Sequence, residues 1–366
     1  MGIFDLMEKY GHEELIFCYH SSSGLRAVIG IHDTTLGPAI GGTRMWGYNT
    51  EAEAVMDVLQ LSRSMTFQTS IVDCDNGSGK AVIWGDPRTE KEEALLRAFG
   101  RFVEGFGGRF ITYPDLGTST RDMKYVRRET SYITPLEEMY AASGDSSEIT
   151  AYGVYWGMKA CCRALFGSES LKGLTVAVQG VGEVGSRLVD FAMEEECSVV
   201  VTDINYDAVK RIQDRHNTVK VVRPEEILSF PCDVLAPCAL GGVINDETID
   251  TLQCKIIAGA AYNLVTDDRL ADMLHERGIL LAPDFVISAG ELFQATDRLR
   301  VVTKEEAFTR AKEIYRIMED ILTLSQKTSE PPYRVACRLA EERITKVGKV
   351  KSIMCHRRLR GDSGRR

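Results

Sequence analysis

Three glycines indicate the chemistry open to this chain. Gly180, Gly182 and Gly185 form a G-x-G-x-x-G cluster inside VAVQGVGEVG, residues 176–185. A β-branched apolar run, residues 175–179, precedes the cluster and suits a buried parallel strand. A helical pattern follows at once, with Val184, Leu188 and Phe191 on one side. In such a unit the first glycine permits a tight turn and the second lets a pyrophosphate reach the backbone. The third lets the helix close on the strand, and the helix N-terminus supplies N–H donors and a positive dipole end. The expected cofactor contacts are therefore Gly180, Val181, Gly182, Glu183, Val184, Gly185 and Ser186. A second apolar strand, residues 199–202, ends at Asp203, 18 residues past the last glycine. A carboxylate there takes both ribose hydroxyls of NAD and repels a 2′-phosphate. Strand, glycines, helix, strand and acid in register predict an NAD site.

Around this unit the chain must supply a second body. Its 366 residues suit two domains, and 44% hydrophobic residues give each a core. A net charge of −9 argues against a nucleic-acid partner, and no apolar run is long enough to span a membrane. The N-terminal stretch reads as an acidic amphipathic helix without the basic start of a signal peptide, so a cytoplasmic location is expected. Ten cysteines show no C-x-x-C pair and read as small buried hydrophobes, with no metal site. Residues 1–33 predict a helix and two strands, residues 34–46 a glycine-rich turn and residues 51–65 a helix. Residues 71–80 read as a polar glycine loop ending at Lys80, followed by strand 81–84. The strand RFIT leads to TYPDLGT, which carries Asp115. The best linker candidate is 134–149, and the doubly wound pattern after it runs to about residue 290. A long helix is expected over 304–324 and a shorter one over 333–344, before a basic tail. The fold class is α/β: an N-terminal α/β substrate domain at 1–137, completed by a C-terminal helix at 330–352, and a Rossmann domain with a doubly wound parallel sheet at 138–329. Residues 353–366 are expected to form a flexible basic tail, whose RGD reads as part of a charged terminus.

Several long segments resemble the Glu/Leu/Phe/Val dehydrogenases. These are IHDTTLGPAIGGTRMW, the Lys80 loop, TYPDLGT, TAYGVYWGMKA, VAVQGVGEVG, VTDIN, DVLAPCALGGVINDETI and RLAEERI, spread over residues 1–350. The leucine dehydrogenase branch is the most similar. The resemblance implies NAD-dependent, reversible oxidative deamination of an L-amino acid with an apolar side chain to a 2-oxo acid and ammonia. It also implies a cleft that closes on a small-molecule substrate, and a homo-oligomer, dimer or octamer. Lys80 matches the family's catalytic lysine, which polarises a water and the carbinolamine oxygen. Asp115 matches the acid that shuttles protons to the amine. Gly41 and Gly42 match the segment that lets the substrate approach closely. Met65, Gln68, Tyr262 and Ser288 fall at substrate-facing positions. Thr150, Cys238, Ala239 and Asn263 match positions that face the cofactor.

The departures from the family pattern converge on one part of the pocket. The family's second lysine, twelve residues before the catalytic one, holds the substrate α-carboxylate; here that position is Gln68. The first of two asparagines after the A-G-x-A turn is Tyr262, and the N-A-G-G segment is Ser288-Ala289-Gly290-Glu291. The approach to Lys80 is NGSGK, preceded by Asp73, Cys74 and Asp75. Losing a charge-assisted partner weakens carboxylate binding by roughly 1.5–3 kcal/mol. Acids at Asp73, Asp75 and Glu291, where they face the cleft, would repel an anion further. Three readings stay open on sequence alone. One is an amino-acid dehydrogenase with a rebuilt carboxylate site. Another is an NAD-dependent enzyme acting on an amine or other substrate lacking the α-carboxylate. The third is a catalytically silent NAD-binding homologue.

Overall fold

The computed structural model describes residues 2–134, 146–295, 303–350 and 353. Residues 135–145 of the expected linker, and the basic tail after 353, lie outside the described residues. The first half begins with α1 (Ile3–Tyr10) and builds a five-stranded sheet from β1 (Glu14–His20), β2 (Leu25–Asp33), β3 (Ala39–Trp46), β4 (Gly77–Trp84) and β5 (Phe110–Pro114). The strand order is β1-β2-β4-β3-β5. β1, β2 and β4 pair antiparallel, whereas β3 runs parallel to both β4 and β5. Helices α2 (Glu51–Ile71), α3 (Glu93–Gly105) and α4 (Thr120–Val126) complete this α/β body. Its core includes Leu25, Ile29, Ile83, Phe99 and Phe110, all fully buried.

The structure corrects the sequence reading at two places that carry the site. Residues 39–46 form β3 rather than a turn, and β4 starts at Gly77, so Lys80 lies within a strand and not at the end of a loop. Glycine is depleted in strands because it packs nothing, yet it serves where two backbones must approach closely. A Cβ at Gly41 would lie 1.7 Å from the Gly79 carbonyl oxygen. The strand-to-strand contact therefore requires glycine at residue 41.

The second half is a parallel six-stranded sheet. Its strands are β6 (Thr175–Gln179), β7 (Ser198–Thr202), β8 (Lys220–Val221), β9 (Val234–Pro237), β10 (Ile256–Ile257) and β11 (Leu280–Leu281). Their order, β8-β7-β6-β9-β10-β11, is the doubly wound arrangement with its switch point between β6 and β9. Helices α5 (Ser146–Phe166), α6 (Glu183–Glu194), α7 (Tyr206–Arg215), α8 (Arg269–Glu276), α9 (Asp284–Ile287) and α10 (Leu292–Ala295) follow in order. Three more, α11 (Lys304–Ala311), α12 (Glu313–Thr328) and α13 (Pro332–Val350), end the described chain. The single helix expected over 304–324 is thus two helices. They join at Lys312, where the ladder tightens to an i→i+3 bond, Tyr315 N–H to the Lys312 carbonyl at 3.1 Å. The last helix returns to the first body: Ser70 on α2 donates to the Ala340 carbonyl on α13 at 2.8 Å. Phe67 of α2 meets Phe285 of α9 at 5.9 Å between ring centroids. One apolar cluster therefore joins the two bodies at the back of the cleft between them.

Candidate active site

Lys80 occupies a central strand and is only 5% exposed. A buried ammonium without a partner is costly, so the fold must supply one. Asp115, the residue after β5, supplies it: its Oδ2 contacts Lys80 Nζ. The register explains the meeting. Residues 80 and 42 each precede the Thr43–Ala81 pair of β4 and β3, and Gly42 pairs with Tyr113 on β5. The Asp115 turn is pinned by Thr118, whose hydroxyl accepts from Asp115 N–H at 2.9 Å and donates to the Thr43 carbonyl at 2.7 Å. Arg44, two residues past Gly42 on the same face of β3, lies 3.4 Å from Asp115 and 2.8 Å from Asp57. Tyr48 donates to Asp57 at 2.5 Å. Burial pushes the Asp115 carboxyl up, but Lys80 and Arg44 overrule it and hold the group well below the usual carboxylate range. Gly42 keeps the space over this pair open. A Cβ there would lie 2.8 Å from Asp115 Cβ and 3.3 Å from Lys80 Nζ.

The residues that depart from the family pattern touch one another. Gln68, fully buried on α2, donates through Nε2 to the Tyr262 hydroxyl at 3.1 Å and to Ser288 Oγ at 3.3 Å. Tyr262 donates in turn to Glu291 at 3.1 Å. Burial raises the Glu291 carboxyl; the Tyr262 hydrogen bond lowers it, Asp115 raises it and Lys80 lowers it. This acid therefore lies within electrostatic reach of the Lys80–Asp115 pair. Asp73 and Asp75 do not. Both are exposed and pair with Arg343 of α13, at 2.8 and 2.9 Å, because the loop before β4 is clasped by the last helix. Their expected repulsion of a ligand anion in the cleft is withdrawn. Met65 is buried on α2 three residues before Gln68, on the same helical face.

On the other side of the cleft, β6 ends in the glycine turn. Gly180 takes φ +91°, and a Cβ there would lie 2.8 Å from that of Ala239. A Cβ at Gly185 would lie 2.0 Å from the Gly180 carbonyl oxygen, so α6 closes directly on the turn. Nothing lies within 4 Å of a Cβ at Gly182, the residue that caps α6, which is the open approach a pyrophosphate needs. Val181 continues this turn, and Glu183, Val184 and Ser186 lie in the first turn of α6. Asp203, just past β7, accepts from Val181 N–H at 2.8 Å. Cys238 and Ala239 follow β9 at the switch point, and Asn263 takes φ +53° in the turn after β10. Thr150 on α5 is buried against Gly290, where a Cβ would lie 2.8 Å from Thr150 Cα. The residues thus fit a dinucleotide.

A cleft of about 540 Å³ joins the two sides. Arg44, Asp57 and Asp115 line it from the first body, and Ala239, Leu240, Tyr262 and Asn263 from the second. Lys80 reaches it through Asp115, and Gln68 through Tyr262. The glycine turn, Asp203, Thr150 and Met65 are not among its lining residues. Sequence reasoning missed Arg44, Tyr48 and Asp57. The alternation of β3 would have placed Arg44 beside Gly42 had residues 39–46 been read as a strand.

Comparison with known proteins agrees with this fold. The sequence model of the Glu/Leu/Phe/Val dehydrogenase dimerisation domain matches residues 12–132, and that of Glutamate/Leucine/Phenylalanine/Valine dehydrogenase matches residues 143–356. Leucine dehydrogenase of Bacillus subtilis (strain 168) is 47% identical over 352 residues, 96% of either chain. Phenylalanine dehydrogenase of Lysinibacillus sphaericus is 44% identical over 326 residues, 88% of this chain and 86% of its own. The crystal structure of L-tryptophan dehydrogenase from Nostoc punctiforme superposes with a TM-score of 0.76 at 37% identity, covering 95% of this chain and 100% of that one. With both sequence models matched in chain order and the two sheets meeting at a lysine–aspartate cleft, the chain belongs to the Glu/Leu/Phe/Val dehydrogenase family.

Proposed function

We propose that this chain is an NAD-dependent amino-acid dehydrogenase of the leucine dehydrogenase type. It would convert an L-amino acid with an apolar side chain to the 2-oxo acid, ammonia and NADH. The observation that carries the reading is the Lys80–Asp115 pair, set in a cleft whose opposite wall is the strand-end turns of the doubly wound sheet. NAD, when bound, accepts the hydride from the substrate α-carbon. The chain's own residues do the rest. Gly180 to Ser186 and Asp203 hold the dinucleotide, with Thr150, Cys238, Ala239 and Asn263 toward its nicotinamide end. Lys80 presents a cation to the water and to the oxygen that replaces the amine. Asp115, kept ionised by Lys80 and Arg44, takes and returns the amine proton. Gly42 leaves room for the reacting carbon, Gly41 serves the contact between β3 and β4 rather than the substrate, and Met65, Gln68, Tyr262 and Ser288 surround the rest of the substrate.

The test is an assay of the purified protein with NAD and a panel of apolar L-amino acids. NADH and ammonia should appear one for one, with NADP a poor replacement because Asp203 would face its 2′-phosphate. Absence of ammonia release alongside NADH would contradict the reading.

We also propose a homo-oligomer, dimer or octamer, working in the cytoplasm. The sheet's edge strand β1 carries Phe17 and Tyr19 at 44% and 69% exposure, an open edge that a second copy would cover. Sedimentation of a monomer at working concentration would contradict the assembly. The nine described cysteines are all free thiols, which suits a reducing compartment. No helix among the described residues is long and apolar enough to cross a membrane.

A further inference from the structure

Gln68, Tyr262 and the Ser288–Glu291 stretch come from three separate segments and meet in one hydrogen-bonded cluster within electrostatic reach of Lys80 and Asp115, and their hydrogens can be followed one by one. Ser288 Oγ lies 2.6 Å from the Asp284 carbonyl, so its single proton points there and its oxygen faces Gln68 as an acceptor. The Tyr262 proton goes to the Glu291 carboxylate, so the phenol oxygen also accepts from Gln68. Both amide hydrogens of Gln68 are committed to these two hydroxyls, and this fixes which end of the amide is which. What remains is acceptors. Gln68 Oε1 is fully buried and has no hydrogen-bond partner among the described residues, and Glu291 adds a half-buried carboxylate. An orphaned buried acceptor costs stability unless a donor arrives. A carboxylate placed here would meet no uncommitted N–H or O–H from the cluster, and it would stand against Glu291. The neighbouring cation, Lys80, is already engaged by Asp115.

We infer that Gln68, Tyr262 and Glu291 form a subsite for a hydrogen-bond donor, and that they turn the chain's preference from free α-amino acids toward α-amino compounds with a neutral donor group in place of the carboxylate, the amino-acid amides being the type. The inference rests on the oxidative-deamination reading above and replaces the free amino acid in it by the amino-acid amide. The amide nitrogen supplies the hydrogens that Gln68 Oε1 and Glu291 lack, while its carbonyl oxygen carries no charge to repel them. The reaction balances as R–CH(NH3+)–CONH2 + NAD+ + H2O → R–CO–CONH2 + NH4+ + NADH + H+. The α C–H and C–N bonds break, the carbon is oxidised as NAD+ is reduced, and water provides the new carbonyl oxygen.

The test compares kcat/KM for L-leucine with L-leucinamide, and for L-phenylalanine with L-phenylalaninamide. Unmodified protein should favour the amide of at least one pair about tenfold or more, the change expected from one charge-assisted contact. The Gln68→Lys, Glu291→Gly double variant gains a donor and loses the acid, so the ratio should swing toward the free amino acid by a similar factor. Retained NADH affinity reports that the variant is folded. A preference for the free acids in unmodified protein overturns the inference, as does a ratio that the double variant leaves unchanged. Should neither member of a pair be turned over, the deamination reading fails by itself. The inference is then decided by calorimetric binding to the NADH-loaded protein: tighter amide binding sustains it, and equal or tighter acid binding overturns it.

Discussion

Asp115 sits between two cations, and this sets its charge. Burial by itself would favour the neutral acid, yet Lys80 and Arg44 hold it ionised. It is therefore ready as a proton acceptor at neutral pH and gives the proton back only when the charge around it changes as the amine leaves. Asp115→Asn keeps the shape and removes the proton site. Turnover should fall by roughly 10²–10⁴-fold while NADH affinity stays within about threefold, as measured by steady-state kinetics and calorimetry. A variant with nearly full turnover would remove Asp115 from the chemistry. Lys80 and Asp115 were singled out in the sequence because each lies in a motif with a known counterpart, and Gln68 because of its spacing from Lys80. Arg44 was not, since an arginine in a presumed turn carries no face. Asp73 and Asp75 misled for the opposite reason. Their position in the chain lies near Lys80, but their partner, Arg343, is 268 to 270 residues away in sequence.

The strands β3 and β4 position the pair, and glycines hid all of β3 and the first half of β4. Composition reads Gly41, Gly42, Gly77 and Gly79 as loop, because glycine disfavours strands on local grounds. The sheet needs them for contacts that only the tertiary structure reveals: at Gly77 a Cβ would lie 2.2 Å from the Asp33 carbonyl oxygen, and at Gly41 1.7 Å from that of Gly79. In the other sheet β6 and β7 were legible because their runs are short, apolar and punctuated by turns, and Val176, Val178, Val199 and Val201 are all buried. Gly42 is where element and chemistry meet. Gly42→Ala sets a methyl 2.8 Å from Asp115 Cβ and 3.3 Å from Lys80 Nζ. Displacing the pair by about an ångström should lower kcat/KM about 10²-fold, with an overpacking cost of roughly 1–3 kcal/mol in urea unfolding. Unchanged kinetics would mean that the space over Lys80 is not used by substrate.

At the scale of the molecule, chemistry is divided between two bodies. In the proposed mechanism the mixed sheet carries the groups that move protons, and the parallel sheet carries the cradle for the dinucleotide. The division makes the account separable by experiment, because damage to one body should spare the function of the other. Lys80→Ala is the most direct test. The lysine lies on β4, within the first sheet, and it is not among the residues proposed to hold the dinucleotide. With NAD and the best substrate found for unmodified protein, NADH formation by the variant should drop by on the order of 10³-fold or more, while calorimetric NADH affinity stays within about twofold. Turnover that survives the loss of Lys80, or NADH binding that collapses with it, would contradict the account.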